Sequence, residues 1–189
     1  MIRNIALIGH SGEGKTSLAE AMLFNAKSID RLGKVEDGNT TMDFDAEEIN
    51  RKISISLAVA YANWKGNKIN ILDCPGFFDF EGEVVSALSV ADSAIIVTSA
   101  SGSLSVGTEK MLEMCTDRKV PAMVFINQVN KDNADFRGTY NAIEQAFGSK
   151  VLPIELPVIE GGKMTGWVDI LTLSLIHISE PTRPEPISY

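Results

Sequence analysis

Eight residues near the start of the chain, Gly9-His10-Ser11-Gly12-Glu13-Gly14-Lys15-Thr16, limit what it can fold into more than any other stretch. They satisfy G-x-x-x-x-G-K-[ST]. Before them lies a short apolar run, Ile2–Ile8, and from Lys15 onward Leu18, Met22 and Leu23 recur at helical spacing. The order predicts strand, tight loop, helix. Glycines let backbone N–H groups approach phosphate oxygens, and the helix presents its positive end. Lys15 then meets the β- and γ-phosphates, and Thr16 offers its hydroxyl to Mg²⁺. Gly9, His10, Ser11, Gly12, Glu13, Gly14, Lys15, Thr16 and Ser17 are the expected phosphate-binding residues. The competing reading, a glycine-rich turn with an incidental lysine, loses ground because a strand precedes the loop and a helix follows it.

A second signal, Asp73-Cys74-Pro75-Gly76, closes an apolar strand. An acidic residue there can hold Mg²⁺ through water while the Gly76 N–H reaches the γ-phosphate. A strand-ending Asp that merely caps a turn is the plain alternative. Between the two signals, residues 28–51 are polar and carry seven carboxylates, with no sustained period. Residues 53–64 alternate (Ile53, Ile55, Leu57, Val59, Tyr61), turn at Lys65-Gly66-Asn67 and return over 68–72 as a hairpin. Helices are expected over 79–91, 107–118 and 134–147, and buried strands over 94–98 and 120–126. Two further strands, 151–159 and 167–171, meet around Gly161–Gly162. This alternation implies an α/β fold with a mostly parallel sheet and helices on both faces. Among the acidic residues of the long loop, Asp37, Asp43, Asp45, Glu47 and Glu48 lack calcium-loop spacing and read as a solvated face.

Composition narrows the function classes. With 25 acidic against 17 basic residues and a net charge of −8, the chain has no general grip for nucleic acid. The sequence shows no apolar stretch of membrane-spanning length and no signal-peptide pattern, and its two cysteines form no framework. A cytoplasmic monomer with no membrane or DNA partner is expected. From residue 173 the chain reads LSLIHISEPTRPEPISY, which resembles the translation of a transposase-based sequencing adapter. Residues 173–189 are therefore expected to be a non-native tail, outside the fold.

The stretches IRNIALIGHSGEGKTSLAEAMLF, GKVEDGNTTMDFDAEEINRKISI, INILDCPGFFDFEGEVVSALSVADSAIIV and VFINQVNKDNADF, in that order, resemble the GTP-binding domain of elongation factor G and its paralogues. The resemblance is strongest to the elongation-factor-G-like branch. It implies a phosphate-loop GTPase domain over 1–150, incomplete, and the first hairpin of that domain's insertion over 151–172. One sheet strand, the one leading to the last base-binding loop, is expected to be missing. It also implies GTP and GDP as substrate and product, Mg²⁺ as cofactor, and hydrolysis on the ribosome. The metal ligands carried over are Thr16, Ser54 in place of the family's threonine, and Asp73 through water. Lys15 and Gly76 are carried over to the catalytic centre.

Two departures qualify this picture. The family places a water-orienting histidine directly after the DxxG glycine, and this chain has Phe77, whose ring makes no hydrogen bond to water. That leaves the role vacant; His10 reads as structural rather than as a substitute. The base-reading motif N-K-x-D is here Asn127, Gln128, Val129 and Asn130. Losing the carboxylate that takes two guanine N–H donors should weaken base selection by about 1–3 kcal/mol. The readings left open are a translational GTPase, a ribosome-associated nucleotide-binding regulator with weak or no hydrolysis, and an unrelated phosphate-loop ATPase.

Overall fold

The computed structural model describes residues 1–161 and 163–177. A five-stranded sheet runs in the order β2-β3-β1-β4-β5. Its strands are β1 (Ile2–Ile8), β2 (Ala58–Trp64), β3 (Asn67–Asp73), β4 (Ser93–Ser99) and β5 (Ala122–Asn127). Strands β3, β1, β4 and β5 are mutually parallel, and β2 is antiparallel to β3. The helices are α1 (Lys15–Asn25), α2 (Ala46–Arg51), α3 (Glu81–Val90), α4 (Val106–Arg118) and α5 (Phe136–Phe147).

Because side chains alternate along a strand, β1 feeds two cores. Ala6 and Ile8 join Val84 and Leu88 of α3 and Met111 and Cys115 of α4 on one face. Leu7 joins Ala19 and Leu23 of α1, with Met42, Ala58 and Ala62, on the other. Helices therefore cover both faces, as expected of a mostly parallel sheet. The β2–β3 hairpin turns at Lys65 and Gly66, both at positive φ (48° and 77°), a pairing that suits a two-residue hairpin loop.

Four expectations need correction. Residues 53–57 are not strand: β2 begins at Ala58, and the Ile55 and Ser56 N–H groups donate to the Glu48 side chain instead of a neighbouring strand. Within β2 the small residues Ala58 and Ala62 face the core, while Val59 and Tyr61 are exposed, so the apolar alternation marked the outward face. Strand β5 is not buried: among the described residues it pairs with β4 alone, and Met123 and Phe125 are exposed. The polar loop 28–51 contains α2, started by a reciprocal capping box between Asp45 and Glu48.

Where strands were expected over 151–159 and 167–171, the chain forms β6 (Glu155–Glu160) and β7 (Lys163–Asp169), antiparallel to each other. A third strand, β8 (Ser174–His177), pairs with the free edge of β7. The segment expected to stay outside the fold thus contributes four residues, because an unpaired strand edge offers a ladder to any short β-compatible run. The remainder of that segment, 178–189, lies outside the described residues.

Candidate functional site

Strands β1, β3, β4 and β5 all end on one side of the sheet, where an α/β fold builds its ligand site. The register sets Asp73 beside Leu7, and Asn127 beside Ser99. The loop 9–16 crosses this end between β1 and α1. Helix α1 starts with no side-chain cap; its N-cap is Gly14, at φ 94°. Its first N–H groups are therefore free for an anion. At Gly14 a β-carbon would collide with the Asn127 amide, and at Gly76 one would strike Lys15 Nζ, with Ser11 N only 2.6 Å away. Glycine is what lets the segment after β3 lie against the loop.

Lys15 is buried, and its ammonium donates to the His10 carbonyl at 2.8 Å. Burial pulls its pKa down; the Asp73 and Glu13 carboxylates pull it back up. Asp73 is 1% exposed, with both carboxylate oxygens buried and unpartnered among the described residues. Burial pushes it up to about 7, against the opposing pull of the nearby Thr16 hydroxyl and then Lys15. The Thr16 hydroxyl lies 3.2 Å from that of Ser54, and Ser54 donates to Asp43 at 2.7 Å. Two hydroxyls and an unsatisfied carboxylate suit a hard cation with oxygen ligands. Thr16, Ser54 and Asp73 fit Mg²⁺ on that ground.

Sequence reasoning missed Asp43. Asp43 and Glu48 are buried, which corrects the solvated-face reading for these two, while Asp37, Asp45 and Glu47 are exposed. Burial pushes the Asp43 carboxyl up, with the Ser54 hydrogen bond acting against it. Glu20, fully buried on α1, accepts from the Gly33 and Thr41 N–H groups and ties the long loop to the helix. The sequence held one signal for this order, the D-x-x-E spacing of Asp45 and Glu48.

Of the base-reading candidates, Asn127 donates to the Glu13 carbonyl at 2.9 Å, and Gln128 donates to the Gly12 carbonyl at 3.1 Å from a left-handed backbone. Both amides hold the loop. Asn130 is exposed in the following turn. Phe77 has extended backbone and is 40% exposed. The imidazole of His10 sits 5.8 Å from the Phe78 ring with its Nδ1 buried and unpartnered among the described residues, and Ser17 is exposed on α1.

A glycine-rich loop ahead of an uncapped helix, a buried lysine and a strand-end aspartate beside two hydroxyls define a phosphate-loop nucleotide-binding domain. Residues 1–180 match the family described as Elongation factor Tu GTP binding domain, and the chain belongs to that family. It is 36% identical over 171 residues to the mitochondrial Ribosome-releasing factor 2 of Culex quinquefasciatus, covering 90% of this chain and 23% of that one. It is 34% identical over 188 residues to Elongation factor G 1 of Treponema denticola, covering 100% and 28%. It is 40% identical over 160 residues to an Elongation factor G-like protein of Mycobacterium tuberculosis, covering 85% and 22%. A crystal structure of a Thermus thermophilus protein superposes with a TM-score of 0.89 at 35% identity, over 95% of this chain and 27% of that one. The chain thus spans about a quarter of the length of these relatives.

Proposed function

We propose that this chain is the GTP-binding part of a translational GTPase resembling elongation factor G, which binds GTP and GDP with Mg²⁺ and hydrolyses GTP on the ribosome. One observation carries the reading: the buried Lys15 and the orphaned Asp73 carboxylate flank a loop whose helix has no cap of its own. Buried charge without a partner awaits one of opposite sign. The Lys15 ammonium can leave the His10 carbonyl for a phosphate oxygen, and the α1 N–H groups can donate to the remaining anionic oxygens. Thr16, Ser54 and Asp73 would hold Mg²⁺, which supplies positive charge against the β- and γ-phosphates when bound. Asp43 takes the Ser54 hydroxyl hydrogen, which leaves the Ser54 lone pairs free to face Thr16.

A second reading rests on Phe77. With no hydrogen-bonding group at that position, the full protein binds nucleotide on the ribosome as a regulator and hydrolyses it weakly or not at all. In either case we place it in the cytoplasm as a monomer with no DNA or membrane partner. The net charge of −8 supports the absence of DNA binding. No helix among the described residues is long and apolar enough to cross a membrane.

Calorimetry of the 189-residue chain with GTP and GDP in Mg²⁺ tests the binding step. Lys15→Ala should weaken triphosphate affinity by roughly 10²-fold, the loss of a charge-assisted contact worth about 2–3 kcal/mol. Unchanged affinity in that variant would remove the loop from the site. Ribosome-dependent turnover by the full-length protein then separates the two readings.

A further inference from the structure

Glu13 is the only acidic side chain in the loop 9–16, and a negative charge there opposes the binding of phosphates. Yet it is 5% exposed and satisfied on both oxygens. Its Oε2 accepts from the His10 N–H at 3.1 Å and from the Thr108 hydroxyl at 3.3 Å; its Oε1 accepts from the Ser105 hydroxyl at 3.2 Å. Ser105 is the N-cap of α4 and accepts the Thr108 N–H at 3.2 Å. The Thr108 hydroxyl lies 3.4 Å from that of Thr98 on β4. The carboxylate is therefore drawn off the phosphate side and into the positive end of a 13-residue helix. From the other side the Asn127 and Gln128 amides hold the Glu13 and Gly12 carbonyls.

We infer that Glu13 is a positioning residue for the nucleotide: it clamps the crest of the phosphate loop to the start of α4, so that the loop is ordered before phosphate arrives. Thr108 and Ser105 are the fixed half of the clamp. The inference rests on the reading that this loop binds nucleoside di- and triphosphates. Ordering a loop on binding costs affinity, and a clamp present in the free protein removes that cost. The clamp acts through the loop backbone, so it should favour diphosphate and triphosphate alike. Releasing it has a second effect, because a freed carboxylate is no longer directed away from the phosphates.

The test is GDP calorimetry in Mg²⁺ on the 189-residue chain. Thr108→Val removes one donor to Glu13 without changing shape or charge and should weaken GDP binding roughly tenfold. Thr108→Ser, which keeps the hydroxyl, should bind like the wild type. In a Glu13→Ala background, Thr108→Val should change affinity by less than about twofold, because the partner is already gone. Ser105→Ala gives the same readout if Thr108→Val does not fold. Melting of the nucleotide-free variants distinguishes a merely structural role, which would lower the melting temperature and leave the affinity of folded protein alone. Wild-type affinity in Thr108→Val, or an equal loss with and without Glu13, overturns the clamp. Absence of GDP binding by the wild type overturns the nucleotide reading and the clamp with it.

Discussion

Phe77 concentrates the chemical question in one side chain. Its neighbour Gly76 lies against Lys15 and Ser11, so the residue that follows leaves the phosphate loop directly, and it is 40% exposed. An aromatic ring cannot orient an attacking water, and phosphoryl transfer in this family depends on positioning. Phe77→His in the full-length protein should therefore raise single-turnover GTP hydrolysis on ribosomes by roughly 10²–10³-fold, with GTP affinity little changed. Equal rates would mean that another group positions the water. Asn130 poses the corresponding question for the base. An amide accepts one guanine N–H where a carboxylate accepts two, so Asn130→Asp combined with Gln128→Lys should sharpen guanine preference by about 1–3 kcal/mol. Competition between GTP, XTP and ATP in the full-length protein measures this, and equal strong preference in both forms would assign the reading elsewhere. That Lys15, Thr16 and Asp73 gather around one loop was legible because motif spacing sets their places at the ends of β1 and β3. Asp43 was not: its neighbours Asp45 and Glu47 are solvated, and nothing in the residue order separates the buried carboxylate from the exposed ones.

At the scale of elements, the segment from α2 to β2 is ordered chiefly by one side chain. Glu48 closes the capping box on the Asp45 N–H, and its other oxygen accepts from Ile55 at 2.8 Å and Ser56 at 3.0 Å. Ser54, one of the expected metal ligands, lies just before those two amides. Glu48→Ala should leave three backbone donors without this acceptor and destabilise the segment by about 2–3 kcal/mol. Hydrogen exchange should quicken at Ile55 and Ser56 while core amides of β1 keep their protection; unchanged exchange at both positions would show that the segment is held by other contacts. The same acceptor explains why residues 53–57, which alternate as a strand does, do not form one. Their alternation has a strand's period, but side-chain carboxylates supply the hydrogen bonds that a ladder would have supplied. Helices α1, α3, α4 and α5 and the central strands were legible because periodicity and burial agree there, whereas α2 lay hidden in a polar stretch. The edge strands β2 and β5 were legible as strands but not as exposed ones, since they expose residues whose types belong to a covered face.

For the whole molecule, the buried Asp73 couples the site to overall stability. Its carboxyl rises from the ordinary 3.8 to about 7 on folding, so between those values the folded chain holds a proton that the unfolded chain has released. Stability of the metal-free protein should fall as pH rises through that window, and Asp73→Asn should relieve the penalty by about 2–4 kcal/mol above pH ~7. Thermal melts at about pH 4 and pH 8 check the sign: the variant's advantage should appear at the higher pH and shrink at the lower, and Mg²⁺ should raise the Tm of the wild type alone. A pH-independent difference would detach Asp73 from the stability of the fold. The mostly parallel character of the central sheet followed from the alternation of strands and helices along the sequence. The third strand of the smaller sheet did not, because its pairing depends on an open edge rather than on its own residues. Strand β1 lends alternate side chains to two separate cores and runs straight into Gly9. Adding or deleting a single codon between Ile2 and Leu7, with the start of the strand held in register, would exchange the two sets, sending Leu7 toward α3 and Ile8 toward α1 and moving the loop beyond them. The gene can change length at the Lys65–Gly66 turn, where the chain reverses in solvent, but over β1 its reading length is fixed to the residue.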